Sequence, residues 1–100
     1  MPSKAFRVQW TPLARQDLEE AATYIRRDSP AAAKRFYAAT LRRTVSLKAY
    51  PKLGRIVPEE GNELLRELIH PPYRIIYEIF PAERRIEILA VHHSARPLVQ

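Results

Sequence analysis

Apolar and polar residues alternate from Ala5 to Trp10, with Phe6, Val8 and Trp10 on one side and Arg7 and Gln9 on the other. A period of two predicts a half-buried strand. At Thr11-Pro12 the period becomes helical. Ala14, Leu18, Ala21 and Ile25 form an apolar stripe, while Arg15, Glu19, Glu20 and Arg26 fall mostly away from it. Threonine suits the N-cap because its hydroxyl accepts from a free backbone N–H, and proline suits the first turn, where its missing N–H has no partner to lose. Ser29-Pro30 repeats this punctuation, ending the first helix and opening a second. Ala33, Phe36, Tyr37, Thr40, Leu41, Thr44 and Leu47 make the inward face of the second helix, and Lys34, Arg35, Arg42, Arg43 and Lys48 the outward one. Pro51 ends it. Two antiparallel helices joined by a tight turn are the expectation.

The turn Pro51-Lys52-Leu53-Gly54-Arg55 and a polar loop from Val57 to Glu63 lead into three predicted strands: Leu64 to Ile69, Tyr73 to Phe80, and Arg85 to His92. His70-Pro71-Pro72 makes the first connection and Pro81 to Arg84 the second. Arg66 shares a face with Leu64 and Leu68. Tyr73, Ile75, Tyr77 and Ile79 share one face of the next strand, opposed by Arg74, Ile76, Glu78 and Phe80. In the last strand Ile86, Ile88 and Ala90 oppose Glu87, Leu89 and Val91. Both faces of these two strands are substantially apolar, and one helical layer covers only one of them, so the second face calls for another layer or a partner. The order β-α-α-β-β-β predicts an α+β fold, a helical hairpin packed on a small, mainly antiparallel sheet. The first strand, cut off by the helices, is expected at a sheet edge or beside a later strand. No repeat or boundary divides residues 1–100, which are expected to form a single domain.

One hundred residues give an adequate but modest core. Seventeen Lys and Arg against eleven Asp and Glu leave a net charge of +6, which favours encounter with nucleic acid, a ribosome or an acidic protein. Arginine outnumbers lysine and suits paired contacts with phosphate or carboxylate, although many small basic domains bind no nucleic acid. With no cysteine there is no disulfide, cysteine-bound zinc or thiol nucleophile, a composition that fits a reducing cytoplasm. The sequence has no apolar leader and no apolar run of membrane-spanning length, so neither export nor insertion is expected.

Candidate chemistry gathers at the strand ends. His92 and His93 point to opposite faces, so they do not serve one metal, and no metal or other cofactor is expected. Either can act as an acid or base near neutral pH, or simply face water. Arg66 and Arg74 are expected to lie close across a hairpin, with Arg96 emerging beside them. Converging guanidinium groups can stabilise a phosphate, or can pair with Glu67, Glu78 or Glu87 as structure. Glu19-Glu20 and Glu59-Glu60 are expected at the surface. With two glycines there is no Gly-rich phosphate loop, and no serine stands in a nucleophile motif.

Trp10-Thr11-Pro12-Leu13-Ala14 followed by Asp17-Leu18, Pro51-Lys52-Leu53-Gly54-Arg55, Arg66-Glu67-Leu68, Tyr73-Arg74-Ile75-Ile76-Tyr77, and the closing Ile88-Leu89-Ala90-Val91-His92-His93-Ser94-Ala95-Arg96 together resemble the RelE/ParE toxin superfamily across nearly the whole chain. The resemblance implies a toxin of a type II toxin–antitoxin module, a class that includes plasmid-stabilization systems, bound in a hetero-oligomer by a cognate antitoxin. The RelE branch cleaves mRNA on the ribosome. Arg74 matches the arginine of its tyrosine–arginine strand motif, and His92 or His93 would handle protons. The lysines which that branch carries on the preceding strand are replaced here by Leu65 and Glu67, and no tyrosine follows Tyr77. The ending is more similar to the ParE branch, whose characterised members poison DNA gyrase. On that reading Arg66, Arg74 and Arg96 would contact a protein partner or target. A toxin-like relic that only binds its antitoxin is a third reading.

Overall fold

The computed structural model describes residues 5–95. Strand β1 (Arg7–Trp10) leads into helices α1 (Pro12–Arg26) and α2 (Pro30–Val45), followed by strands β2 (Arg55–Ile56), β3 (Leu65–His70), β4 (Tyr73–Phe80) and β5 (Arg85–His93). The strands form one sheet in the order β1-β5-β4-β3-β2. β1 is parallel to β5, and the other neighbours are antiparallel. The first strand therefore lies both at an edge and beside a later strand.

Both helices begin where the Thr-Pro and Ser-Pro steps place them. The Thr11 hydroxyl accepts from the Ala14 N–H at 3.1 Å and donates to the Ile88 carbonyl at 3.0 Å, so the cap also pins α1 to β5. The Ser29 hydroxyl accepts from the Ala32 N–H at 3.1 Å. α2 ends at Val45, earlier than Pro51, and a 3₁₀ turn over Ser46–Lys48 carries Leu47 into the core. Thr40 and Thr44 are buried on α2 without a polar penalty, because their hydroxyls donate to the Phe36 and Thr40 carbonyls one turn back.

The core lies between the helical hairpin and one face of the sheet. Ala14 and Leu47 pack against Leu68, Ile75, Tyr77, Ile79, Ile86 and Ile88, while Leu18, Ala21 and Phe36 pack on Tyr73 and Val91. Each isoleucine buried completely contributes about 1.5–3 kcal/mol. Among the described residues, no helix is long and apolar enough to cross a membrane.

Three expectations change. The β4–β5 register steps from Ile76↔Ala90 to Tyr77↔Ile88, leaving Leu89 as the extra residue of a bulge. Strict alternation groups Ala90 with Ile86 and Ile88, but the bulge turns Val91 to the helices and places Ala90 and His92 on the outer face. Second, Arg55 and Ile56 form a short strand against Glu67 and Arg66, which two residues cannot announce by periodicity. Third, the outer face is not left entirely to a partner. The β2–β3 connection reaches over it through Glu59, which pairs with Arg74, and Ile76 is buried there.

The Tyr77 hydroxyl ties the turn before β2 to the sheet, donating to the Pro51 carbonyl at 2.7 Å and accepting from the Gly54 N–H at 2.9 Å. A Cβ on Gly54 would stand 2.4 Å from the Glu67 carbonyl oxygen and 2.8 Å from the Tyr77 hydroxyl. Tyr77→Phe strands two polar groups and should lose about 1–3 kcal/mol in urea denaturation. Gly54→Ala, which must move backbone, should cost at least as much.

Candidate functional site

The most constrained polar group is the Glu67 carboxylate, with no exposed side-chain surface. It sits in β3 opposite Ile76 of β4 and Arg55 of β2. Isolated burial of a carboxylate is prohibitive, so partners must reach it. Arg74 Nε donates to one oxygen at 2.5 Å and Arg55 Nε to the other at 2.5 Å. The far edge of the Arg74 guanidinium donates to both oxygens of Glu59, at 3.0 and 2.8 Å. Arg74, only 8% exposed, thus has each of its three nitrogens engaged by a carboxylate of its own chain. The fork lowers the Glu59 pKa through its hydrogen bonds, and those bonds in turn raise that of Arg74 against the opposing cost of burial.

The arginines named from the sequence do not converge. Arg66 pairs with Tyr77 and Arg74 with Ile69, a register that sets the two side chains on opposite faces of the sheet. Arg66 instead donates to the Glu63 carbonyl at 2.8 Å and the Gly54 carbonyl at 3.0 Å, fastening the end of the β2–β3 connection to the turn that precedes β2. Arg96 lies outside the described residues. Arg74 and His92 are cross-strand partners on the outer face. His93 opposes Tyr73 on the helix-facing side, edge-on to its ring at 5.2 Å, with Nδ1 accepting from the Ala95 N–H.

Grooves flank the helical hairpin, and two of them meet strand ends. The larger, about 730 Å³, runs between α1 and the end of β5, where Asp17, Glu20, Tyr24, Tyr73, His92 and His93 contribute to its walls. Asp17 is committed to structure, accepting from the Val91 N–H at 3.1 Å. The smaller, about 450 Å³, lies along α2 beside His70. The His70 ring stacks on Phe36 with centroids 4.9 Å apart. Burial, aided by the nearby Arg43 charge and opposed by a backbone hydrogen bond at Phe36, pushes its pKa below the usual 6.5. Among the described residues, no group of three His, Asp or Glu side chains is placed to hold a metal.

Glu59, Arg55 and His70 were not singled out by the sequence as partners in any site. The one available signal was Glu67 itself, a carboxylate sharing a strand face with Leu65 and Ile69, one hairpin away from an arginine set between Tyr73 and Ile75.

The family model for the ParE toxin of the type II toxin–antitoxin system parDE matches residues 8–98. Toxin RelE2 of Caulobacter vibrioides is 37% identical over 90 residues, covering 89% of this chain and 96% of that protein. Two solved assemblies contain chains of similar fold. One is the chromosomal ParDE system of P. aeruginosa, with TM-score 0.71, 19% identity, and coverage of 91% of this chain and 98% of that one. The other is the RelBE2 toxin–antitoxin complex of Mycobacterium tuberculosis, with TM-score 0.66, 24% identity, and coverage of 89% and 98%.

The His70 environment predicts a pH dependence of stability. Its folded pKa is below the unfolded one, so the unfolded chain takes up a proton first. The contribution is complete above 6.5 and is lost as pH falls from there toward the folded pKa. Urea midpoints should drop over this interval, and His70→Phe, which keeps the stack on Phe36, should flatten that part of the profile. An unchanged slope in the variant would remove His70 as the cause.

Proposed function

We propose that this chain, which belongs to the ParE toxin family of type II toxin–antitoxin systems, arrests growth by protein contact with DNA gyrase and is held silent by a cognate antitoxin. The observation that carries the choice of target is the commitment of Arg74. A guanidinium that stabilises a transition-state phosphate must present its fork to substrate. Here the fork is filled by Glu59 and the remaining nitrogen by Glu67. Glu67 also stands where an RNA-cleaving relative needs positive charge, and the Arg66 guanidinium is turned to carbonyls on the other side of the sheet. Arg66, Glu67 and Arg74 are thereby consumed in holding the sheet, its short edge strand and the intervening loop, which supports a scaffold acting through surface recognition.

A ribosome-dependent mRNA endonuclease is the second reading, favoured by one observation: Arg74 and His92 are neighbours across β4 and β5. For it to hold, Glu59 must leave Arg74 when RNA arrives. The antitoxin partnership is common to both readings, with a hetero-oligomer as the resting state.

Expression without antitoxin separates them. Double-strand breaks and an SOS response with intact messages are expected. Rapid codon-dependent message cleavage with undamaged DNA would contradict gyrase as the target, and Arg74→Ala should then abolish that cleavage. A chain that arrests nothing would be the relic that only binds antitoxin.

A further inference from the structure

We propose that the margin of the molecule formed by α2, the turn before β2 and β2 itself binds the phosphate backbone of duplex DNA. Charge is unevenly placed along the chain. Between Asp28 and Glu59 the sequence carries seven Lys and Arg and no acidic residue. Outside that stretch ten cations meet eleven carboxylates, so the whole net charge of +6 comes from this one part of the chain.

The fold gathers these cations on one margin. Arg35 and Arg42 are spaced i, i+7 on α2 and share a side of that helix, about 10 Å apart. The His70 end of β3 lines the same groove as these two arginines, and Arg43 donates to the Ile69 carbonyl beside it. Two residues away on the same strand, about 7 Å by strand rise, Glu67 receives Arg55 from β2. Lys52 stands in the turn before β2, which is held at both ends. The Tyr77 hydroxyl binds the Pro51 carbonyl and the Gly54 N–H, and Arg66 binds the Gly54 carbonyl.

Unlike Arg74, these groups face solvent. Arg35, Arg42 and Lys52 are exposed, and among the described residues no ion pair engages them. Arg55 donates to Glu67 through Nε, yet its side chain is 59% exposed. A row of one sign suits a uniform polyanion, and duplex DNA carries a charge about every 1.7 Å of its axis. A particular protein surface is recognised instead by interleaved signs that fix register. Single strands need a platform of aromatic rings, and of the aromatic residues in this stretch only Tyr50 is exposed. The choice of DNA over RNA rests on the gyrase reading above. A toxin seated there would grip the enzyme and its duplex together.

The test is fluorescence anisotropy of a short labelled DNA duplex of arbitrary sequence, titrated with the full chain at several salt concentrations. Affinity should fall steeply with salt, with a log–log slope of about −3 to −4 if roughly four phosphates are neutralised. Arg35→Gln with Arg42→Gln, both at exposed positions, should weaken binding at least about tenfold and make the slope shallower by about two. Arg7→Gln with Arg26→Gln removes the same charge from exposed positions outside the margin and should change neither. Absence of salt-dependent binding overturns the proposal, as does equal weakening by the two double variants, which would leave net charge alone as the cause. Tighter binding to an RNA duplex of the same length overturns DNA as the occupant. A chain that binds no DNA but still causes double-strand breaks on expression overturns the margin and leaves the gyrase reading intact. A chain that binds DNA through Arg35 and Arg42 but cleaves messages and leaves DNA unbroken overturns the gyrase reading and keeps the margin.

Discussion

A single carboxylate with no exposed surface sets the terms for the outer half of this molecule. Glu67 lies within a strand whose neighbours are apolar, where an unpaired charge costs several kcal/mol. Everything around it supplies partners. Arg55 reaches it from β2, which gives a two-residue strand a reason to exist. Arg74 reaches it from β4, and the spare edge of that guanidinium then captures Glu59 and draws the β2–β3 connection over the sheet. Removing one member of such a set leaves the others buried and unsatisfied, a loss of about 3–5 kcal/mol where both partners are enclosed.

The two faces of the sheet are therefore held by different physics. Helix-facing positions are close-packed isoleucine, leucine and tyrosine against alanine-rich helices, an arrangement that burial alone explains. Outer positions are held by charge pairing, with Ile76 shielded beneath it. This division bears on activity. The proposed choice between a gyrase-directed and an RNA-cleaving toxin turns on whether one arginine is free. A lysine at the Glu67 position would release the Arg74 Nε and add a second cation beside it, leaving Glu59 as the partner of the fork. A glutamate there neutralises the arginine and builds it into the framework.

Most of the fold was legible because it depends on local chemistry. Thr11-Pro12 and Ser29-Pro30 fix the helix starts, and Tyr73 to Phe80 is so rich in aromatic and β-branched residues between two proline turns that β4 is found with its boundaries intact. What failed was whatever depends on a partner strand. The bulge at Leu89 inverts the parity of Ala90 and Val91, a change decided by the β4 register and invisible along β5 itself. β2 exists through its pairing with β3. The candidate site was legible only as a list of residue types. Arg66 and Arg74 were grouped as a cluster, yet a register in which Arg66 faces Tyr77 puts them on opposite faces. Glu59 is exposed in its loop, as its position predicts, and gains its importance solely from the arginine it meets.

The most direct measurement is the toxicity of a double variant, Glu67→Met with Arg74→Met. Replacing a buried ion pair by apolar side chains of similar volume is often neutral or stabilising, so the fold is expected to survive, as circular dichroism and urea denaturation can establish. If Arg74 is a framework residue, the folded double variant retains growth arrest. A variant that folds normally, binds its antitoxin and has lost toxicity would contradict the account and return Arg74 to the active surface.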